Sequence, residues 1–202
     1  MKVLHLLLVL CLVFSCKKEE ETIYEENIEI DKYMFKCTVN GQEHTFTDGN
    51  ASYAMYTSTA GSTTSSPTNT KVVFTGSGVR KTGSGNNGFV SFDNNSMNLS
   101  DYNAGKGTAI ASMTSSGSHS YYQTGSQTAG VSIKYVDENN VTWNSAGGPQ
   151  DGSSSFIVTG NTSGSVANSR NVKGTFSCKV YNSAGTSKTL SAGYFYGRFL
   201  AP

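Results

Sequence analysis

Residues 33–41 read YMFKCTVNG, and their spacing decides the fold class. Tyr33, Phe35, Cys37 and Val39 fall on one face of a strand, and Met34, Lys36 and Thr38 on the other, because side chains alternate across an extended backbone. Asn40-Gly41 then offers two residues that tolerate positive φ, the strongest short signal for a hairpin, and His44–Thr47 returns. The same period-2 pattern recurs along the chain between Gly, Asn and Ser clusters. It predicts strands at Ser52–Tyr56, Lys71–Thr75, Phe89–Asp93, Thr108–Ser112, Ser120–Gln123, Val131–Val136, Val141–Ser145, Ser155–Thr159, Val172–Tyr181, Lys188–Ser191 and Tyr194–Phe199. No window supports an amphipathic helix of useful length. The expectation is an all-β domain over residues 32–202, an antiparallel sandwich or barrel of about a dozen short strands.

Composition agrees. Ser, Thr, Gly and Asn together make 90 of the 202 residues and only 14% are charged, so a helical bundle or coiled coil is excluded. Eleven Tyr and 10 Phe set the chain apart from disordered sequences, which lack aromatic residues. Thr57–Thr70, TSTAGSTTSSPTNT, has no apolar anchors and reads as a loop, either mobile or a surface contact.

The N-terminus has a different character. Lys2 precedes an apolar run, Val3–Phe14, interrupted only by His5. The run falls short of the ~20 residues that span a bilayer but suits a secretory h-region of ~7–15. It ends in Val13-Phe14-Ser15-Cys16, which resembles a bacterial lipobox. That likeness implies a signal peptide over 1–15, removed on export, and Cys16 as the acylated mature N-terminus. Two or more fatty acyl chains, such as palmitate, make such anchoring durable. Residues 17–31, KKEEETIYEENIEID, hold seven acids against two lysines. Such a block is solvated and self-repelling, and residues 16–31 read as a tether reaching at most ~50 Å. The Lys-then-acid order behind Cys16 also resembles the surface-export signal of Bacteroidota lipoproteins, which implies an outer-membrane anchor with the domain displayed at the cell surface. A solvated spacer facing the periplasm is the alternative.

The net charge of +1 divides unevenly: the leader carries +1, the tether −5, and the body +5 from 12 basic and seven acidic residues. Nothing in this balance points to nucleic acid, though a mildly basic body suits acidic surface glycans.

Three stretches bear a further resemblance: Phe35-Lys-Cys-Thr-Val-Asn-Gly41, Tyr135-Val-Asp-Glu-Asn-Asn-Val-Thr-Trp143, and Val172-Lys-Gly-Thr-Phe-Ser-Cys-Lys-Val-Tyr-Asn-Ser-Ala-Gly185 running on to Gly193-Tyr-Phe195. They resemble a family of small Bacteroidota lipoproteins that open with an apolar-x-Val-Asn-Gly strand and close with a Gly-Thr-Phe hairpin and Gly-x-Phe. The resemblance covers the two ends and about 50 residues of the C-terminal half. It implies a mostly β lipoprotein and no particular activity.

With Cys11 in the leader and Cys16 acylated, Cys37 and Cys178 remain. Each shares parity with apolar neighbours, Phe35 and Val39 for one and Phe176 and Val180 for the other, so both point into the core. In an oxidising compartment they either bridge the first strand to the penultimate one or stay as two buried thiols. A bridge would close about 140 residues and stabilise by ~4–5 kcal/mol in the chain-entropy model.

Catalytic patterns are weak. Gly83-Ser-Gly85-Asn-Asn-Gly88 matches a dinucleotide fingerprint, but a strand follows where the phosphate site needs a helix. His44 and His119 lack metal-ligand spacing, and Asp93-Asn-Asn95 and Asp137-Glu-Asn139 lack the glycine and the final glutamate of a calcium loop; hairpin turns account for both. No nucleophile elbow is present. The expectation is a non-catalytic protein without metal or cofactor, anchored to the membrane through its N-terminal lipid and meeting a glycan or protein partner at the cell surface. The candidate binding residues are Trp143, Tyr121, Tyr122, Tyr194, Tyr196 and Arg198. Tyr194, Tyr196 and Arg198 share one face of the last strand, opposite Phe195 and Phe199, a surface suited to sugar stacking or a protein contact. An enzyme acting on glycans through two carboxylates is the distant alternative, and a small apolar ligand held in the β body is another.

Overall fold

The first strand begins where the alternation begins. In the computed structural model, which describes residues 32–50, 52–64, 69–83, 87–126 and 128–202, β1 (Met34–Val39) buries Phe35, Cys37 and Val39 and leaves the even positions half-buried. Asn40 (φ 51°) and Gly41 (φ 78°) make the expected tight turn, and β2 (Gln42–Thr47) pairs back from Val39 opposite Gln42. The leader, Cys16 and the acidic tether lie outside the described residues, as do positions 65–68 and the middle of the glycine motif, 84–86.

The chain continues through β3 (Tyr53–Thr64), β4 (Thr70–Lys81), β5 (Asn87–Asn98), α1 (Leu99–Ala104), α2 (Lys106–Met113), β6 (Gly117–Ser118), β7 (Gly130–Val136), β8 (Thr142–Asn144), β9 (Ser155–Ser163), β10 (Ser169–Tyr181) and β11 (Ser187–Leu200). The fold is all-β: eleven antiparallel strands in one curled, half-barrel sheet. The main path runs β2-β1-β11-β10-β8-β7-β5-β4-β3, with β9 on β10 and β6 on β9. The curl sets the two halves face to face. Phe35 on β1 lies where a side chain on Gly88 of β5 would be, and Ser77 on β4 crowds Gly197 of β11. Between them sits a filled core of phenylalanines, with Phe156 and Phe195 at 5.1 Å and Phe92 and Phe199 at 5.3 Å between ring centroids. Burying each such ring stabilises by about 1.5–3 kcal/mol.

Three glycines are covered by the aromatic residue directly opposite: Gly78 by Phe89, Gly174 by Phe195, and Gly193 by Phe176. In each, the ring occupies the space that a Cβ would need, with its nearest ring atom 2.5–2.8 Å from the ideal position. The ring covers backbone that the glycine leaves bare.

Several expectations need correction. The strands are not all short: β3, β4 and β5 have 12 residues each, and β10 and β11 have 13 and 14. Residues 57–64 are strand rather than loop, paired without interruption from Tyr53 opposite Lys81 to Thr64 opposite Thr70; backbone hydrogen bonds hold them, so apolar alternation is not required. Thr108–Ser112 belongs to helix α2, which buries Ile110 and Met113 and whose C-terminal end is tied down by Asn161 Nδ2, donating to Ala111 O and Thr114 O. Ser120–Gln123 contributes only a bridge, Tyr121 to Val131. Lys188–Ser191 and Tyr194–Phe199 are one strand bent by a bulge, where both flanking ladders shift register and Ala192 takes φ 47°. Asp93-Asn94 is likewise a bulge inside β5 and not a hairpin turn, whereas Asp137 does make the β7–β8 turn, its side chain accepting from the Asn139 and Val141 amides.

The disulfide is not formed: Cys37 and Cys178 are both free and buried. Parity placed them in the core correctly, but β11 lies between β1 and β10. Two strand spacings separate their backbones by ~9–10 Å, and a bridge needs Cα atoms within ~7 Å.

Candidate functional site

Of the six aromatic and basic candidates, two are consumed by the fold. Trp143 is only 6% exposed. Its indole N–H donates to Asp137 Oδ2 at 2.9 Å, and the Lys188 ammonium lies 4.0 Å above the ring while donating to the same carboxylate at 3.2 Å. Burial alone would raise the pKa of Asp137, but the indole, the Val141 amide and Lys188 together hold it below the usual carboxylate range. Tyr121 donates to the carbonyls of Ser155 and Ser177, stitching β9 to β10. Burial, with the Cys178 thiol beside it, drives its hydroxyl pKa far upward.

Tyr194, Tyr196 and Arg198 do share the outer face of β11, opposite buried Phe195 and Phe199. Tyr33, expected on the face of Phe35, precedes the start of β1 and instead joins them, stacked on Tyr196 with centroids 5.3 Å apart. Arg198 lies over the Tyr33 ring and its Nε donates to the Tyr33 hydroxyl at 2.9 Å, which donates on to Asn171 Oδ1 at 3.1 Å. Burial and the neighbouring Tyr196 raise the Tyr194 pKa. This is a flat patch whose polar atoms largely satisfy one another.

Tyr122 sits elsewhere, on the outer face of β3, β4 and β5, in a site the sequence reading did not assemble. Phe74, Gly76, Gly78 and Arg80 alternate onto that face of β4. Phe89 lies across both glycines: a Cβ on Gly76 would stand 2.1 Å from its ring. Tyr56 stacks on Phe89 at 5.2 Å and 14°, and Phe74 flanks it at 6.4 Å. Arg80 covers Tyr56 and Lys134 covers Phe89. Burial pushes the Tyr56 hydroxyl up to about 12, with Arg80 pulling the other way.

At the Phe74 end this aromatic strip opens into a groove of about 380 Å³, lined by Ala60, Ser62, Val72, Phe74, Asp93 and Tyr122 among others. Two backbone irregularities build it. The bulge at Asp93-Asn94, with Asn94 at φ 53°, re-aims the end of β5. Gly130 lets the backbone of Tyr122 approach to 2.5 Å of where a Cβ would be, and the Tyr122 amide bonds Val131 O there. Asp93 accepts from Ser132 Oγ at 2.5 Å and Ser91 Oγ at 3.0 Å. Burial raises its pKa, and the two serine hydrogen bonds limit the rise. The groove thus offers two aromatic walls and a half-buried carboxylate able to accept hydroxyl hydrogen bonds. The alternation of Phe74 with Gly76 and Gly78 was the sequence signal for the strip.

No family model matches the chain, and no curated protein or solved structure matches it. A second hollow, of about 400 Å³, lies under the two helices, where Met97, Tyr102, Ala109 and Met113 meet His119. Among the described residues no three His, Cys, Asp or Glu side chains cluster as a metal site would require.

Proposed function

We propose that this chain is a lipid-anchored cell-envelope protein, displayed at the cell surface, whose β domain binds a glycan without catalysing a reaction. The observation that carries the binding role is the outer-face groove. Phe74 and Tyr122 present rings on which the C–H face of a sugar can stack, and Asp93 lines the same groove and can accept its hydroxyls. The Tyr56–Phe89 strip extends the same surface for further sugar units, and Arg80 and Lys134 along it favour acidic ones. Anchoring rests on the lipobox-like run ending at Cys16, on the acidic spacer behind it, and on the resemblance to Bacteroidota lipoproteins.

A glycan array followed by native mass spectrometry on residues 31–202 tests the binding. Saturable binding of a defined oligosaccharide is expected. Phe74→Ala and Tyr122→Ala should each weaken it about tenfold, the equivalent of ~1.4 kcal/mol for a stacked ring. Silence across the array refutes the reading. Cys16→Ser should move the full chain from the membrane to the soluble fraction, and protease shaving of intact cells should degrade the anchored protein. A filled phenylalanine core leaves little room for an internal ligand, so the hollow under α1 and α2 is the place for a small apolar ligand if sugars fail.

A further inference from the structure

We propose that two copies of this chain associate through the outer edge of β3, pairing antiparallel about a two-fold axis at Ala60. Among the described residues β3 is one end of the sheet path, hydrogen-bonded within the sheet to β4 alone. Because β3 and β4 pair in unbroken register, the even residues of β3 aim their amides at β4 and the odd residues aim theirs outward. Two outward donors are used locally: the Tyr53 amide bonds Asn50 O at 2.7 Å and the Met55 amide bonds Asp48 Oδ1 at 2.9 Å. From Thr57 onward the amides and carbonyls of Thr57, Thr59, Gly61 and Thr63 face outward, and no backbone group among the described residues bonds them there.

An open edge of this length is a template for another strand, and proteins normally guard it with a charge, a proline or a bulge. β3 has none of these: YAMYTSTAGSTT contains no charged residue and no proline, and its ladder has no register shift. The opposite end of the path is guarded. β2 is six residues long, carries Glu43 in an ion pair with Lys36, and turns Phe46 onto Tyr53.

The composition of β3 selects the partner. A strand that pairs with itself meets its own charges at close range, and here there are none to repel. Thr, Ser and Ala side chains across such a pair are small and β-compatible, and Thr–Thr neighbours are favourable. The open outward positions are centred on Ala60. A two-fold axis there sets Thr57 opposite Thr63 and Thr59 opposite Gly61, and these four pairings form about eight interchain hydrogen bonds. Ala60 faces its own counterpart as a non-hydrogen-bonded pair, with Cα atoms ~4.5 Å apart. Ala60 also lines the glycan groove, so pairing places the grooves of the two copies side by side on one continuous sheet face.

Sedimentation of the full chain in detergent should give a reversible, concentration-dependent monomer–dimer equilibrium. Oxidation of membranes carrying Ala60→Cys should give a cross-linked dimer, since the pair falls within disulfide reach. Ser58→Cys, which faces Ser62 of the other copy, should not cross-link. Thr59→Pro removes only an outward amide and leaves the β3–β4 ladder intact. It should abolish both the dimer and the Ala60→Cys cross-link at an unchanged circular dichroism spectrum, and Thr59→Lys should do the same if the proline variant folds poorly. A chain that stays monomeric at every concentration reached, an Ala60→Cys variant that links only to other proteins, or an open series of larger assemblies overturns the proposal.

Discussion

Replacing Asp137 by alanine removes the acceptor on which one corner of the domain converges. Its Oδ2 takes hydrogen bonds from Trp143 Nε1 and Lys188 Nζ, and its Oδ1 takes those of the Asn139 and Val141 amides. The groups left behind are not equally damaging. The two turn amides and the Lys188 ammonium, whose side chain is 25% exposed, can turn to water and lose about 1 kcal/mol together. The Trp143 N–H cannot, because the residue is 6% exposed, and an unsatisfied buried donor costs about 2 kcal/mol. The expected loss is therefore about 3 kcal/mol, or roughly 6–12 °C in Tm for a unit of this size. Trp143 is the only tryptophan in the chain, so urea unfolding followed by its fluorescence reads both the stability and the local environment. Asp137→Asn keeps one oxygen for the turn amides but loses the charge, and should lose about half as much. The pH dependence has a definite sign. Because the folded pKa of Asp137 lies below its unfolded value, near ~3.9, its contribution is complete above that value and is lost as pH falls through the lower folded pKa. The parent should therefore lose stability in acid more steeply than Asp137→Asn. An alanine variant within about 1 kcal/mol of the parent at pH 7 would show that this network is ornamental.

Asp93 should behave in the opposite sense. Its folded pKa is raised, so what stability it contributes is present below the ordinary carboxylate pKa and is lost as pH rises through the folded value. Asp93→Asn should accordingly melt no lower than the parent at pH 7 while losing the proposed sugar binding, and a marked drop in Tm would show that this carboxylate serves the fold rather than the proposed ligand. Gly88→Ala places a methyl group 2.0 Å from the Phe35 ring, at atoms too near its backbone to swing away. It should destabilise by about 2–3 kcal/mol in denaturant titration. Burial pushes the thiols of Cys37 and Cys178 up to about 12, so in residues 31–202 neither should react with a thiol reagent at pH 8 until denaturant is added, whereupon both titrate.

What could be read from the sequence follows what the alternation of side chains records. In β1, β10 and the second half of β11, large apolar residues recur at every second position against a packed core, and these strands emerge where expected. β3 escapes because backbone pairing holds it; Thr57–Thr64 buries nothing large, and no pattern of side chains marks it. α2 escapes for the opposite reason. Thr108-Ala-Ile-Ala-Ser112 has a strand-like alternation around one isoleucine, and the helix forms because Ile110 and Met113 pack downward while Asn161, about 50 residues away, ties its last turn. The candidate site divides in the same way. Parity alone assigns Tyr194, Tyr196 and Arg198 to one face, whereas the groove depends on a bulge at Asp93-Asn94 and on a close approach at Gly130. Those register details arise from pairing partners and cannot be counted along one strand. Trp143 misled because a large aromatic residue reads the same whether it faces a ligand or a carboxylate six residues upstream.

The pairing of β1 with β11 has a consequence for how the protein is made. Phe35 sits beside Phe195, about 160 residues later, and the face of β1 packs against β5. The first strand therefore has no settled place in the sheet until the last one has been synthesised. Contacts of such long sequence separation form slowly, so a nascent chain with only β1 and β2 holds at most an isolated hairpin, which is marginal in water. A polypeptide that closes last at its two ends remains threadable for most of its synthesis. The strand order alone imposes that delay.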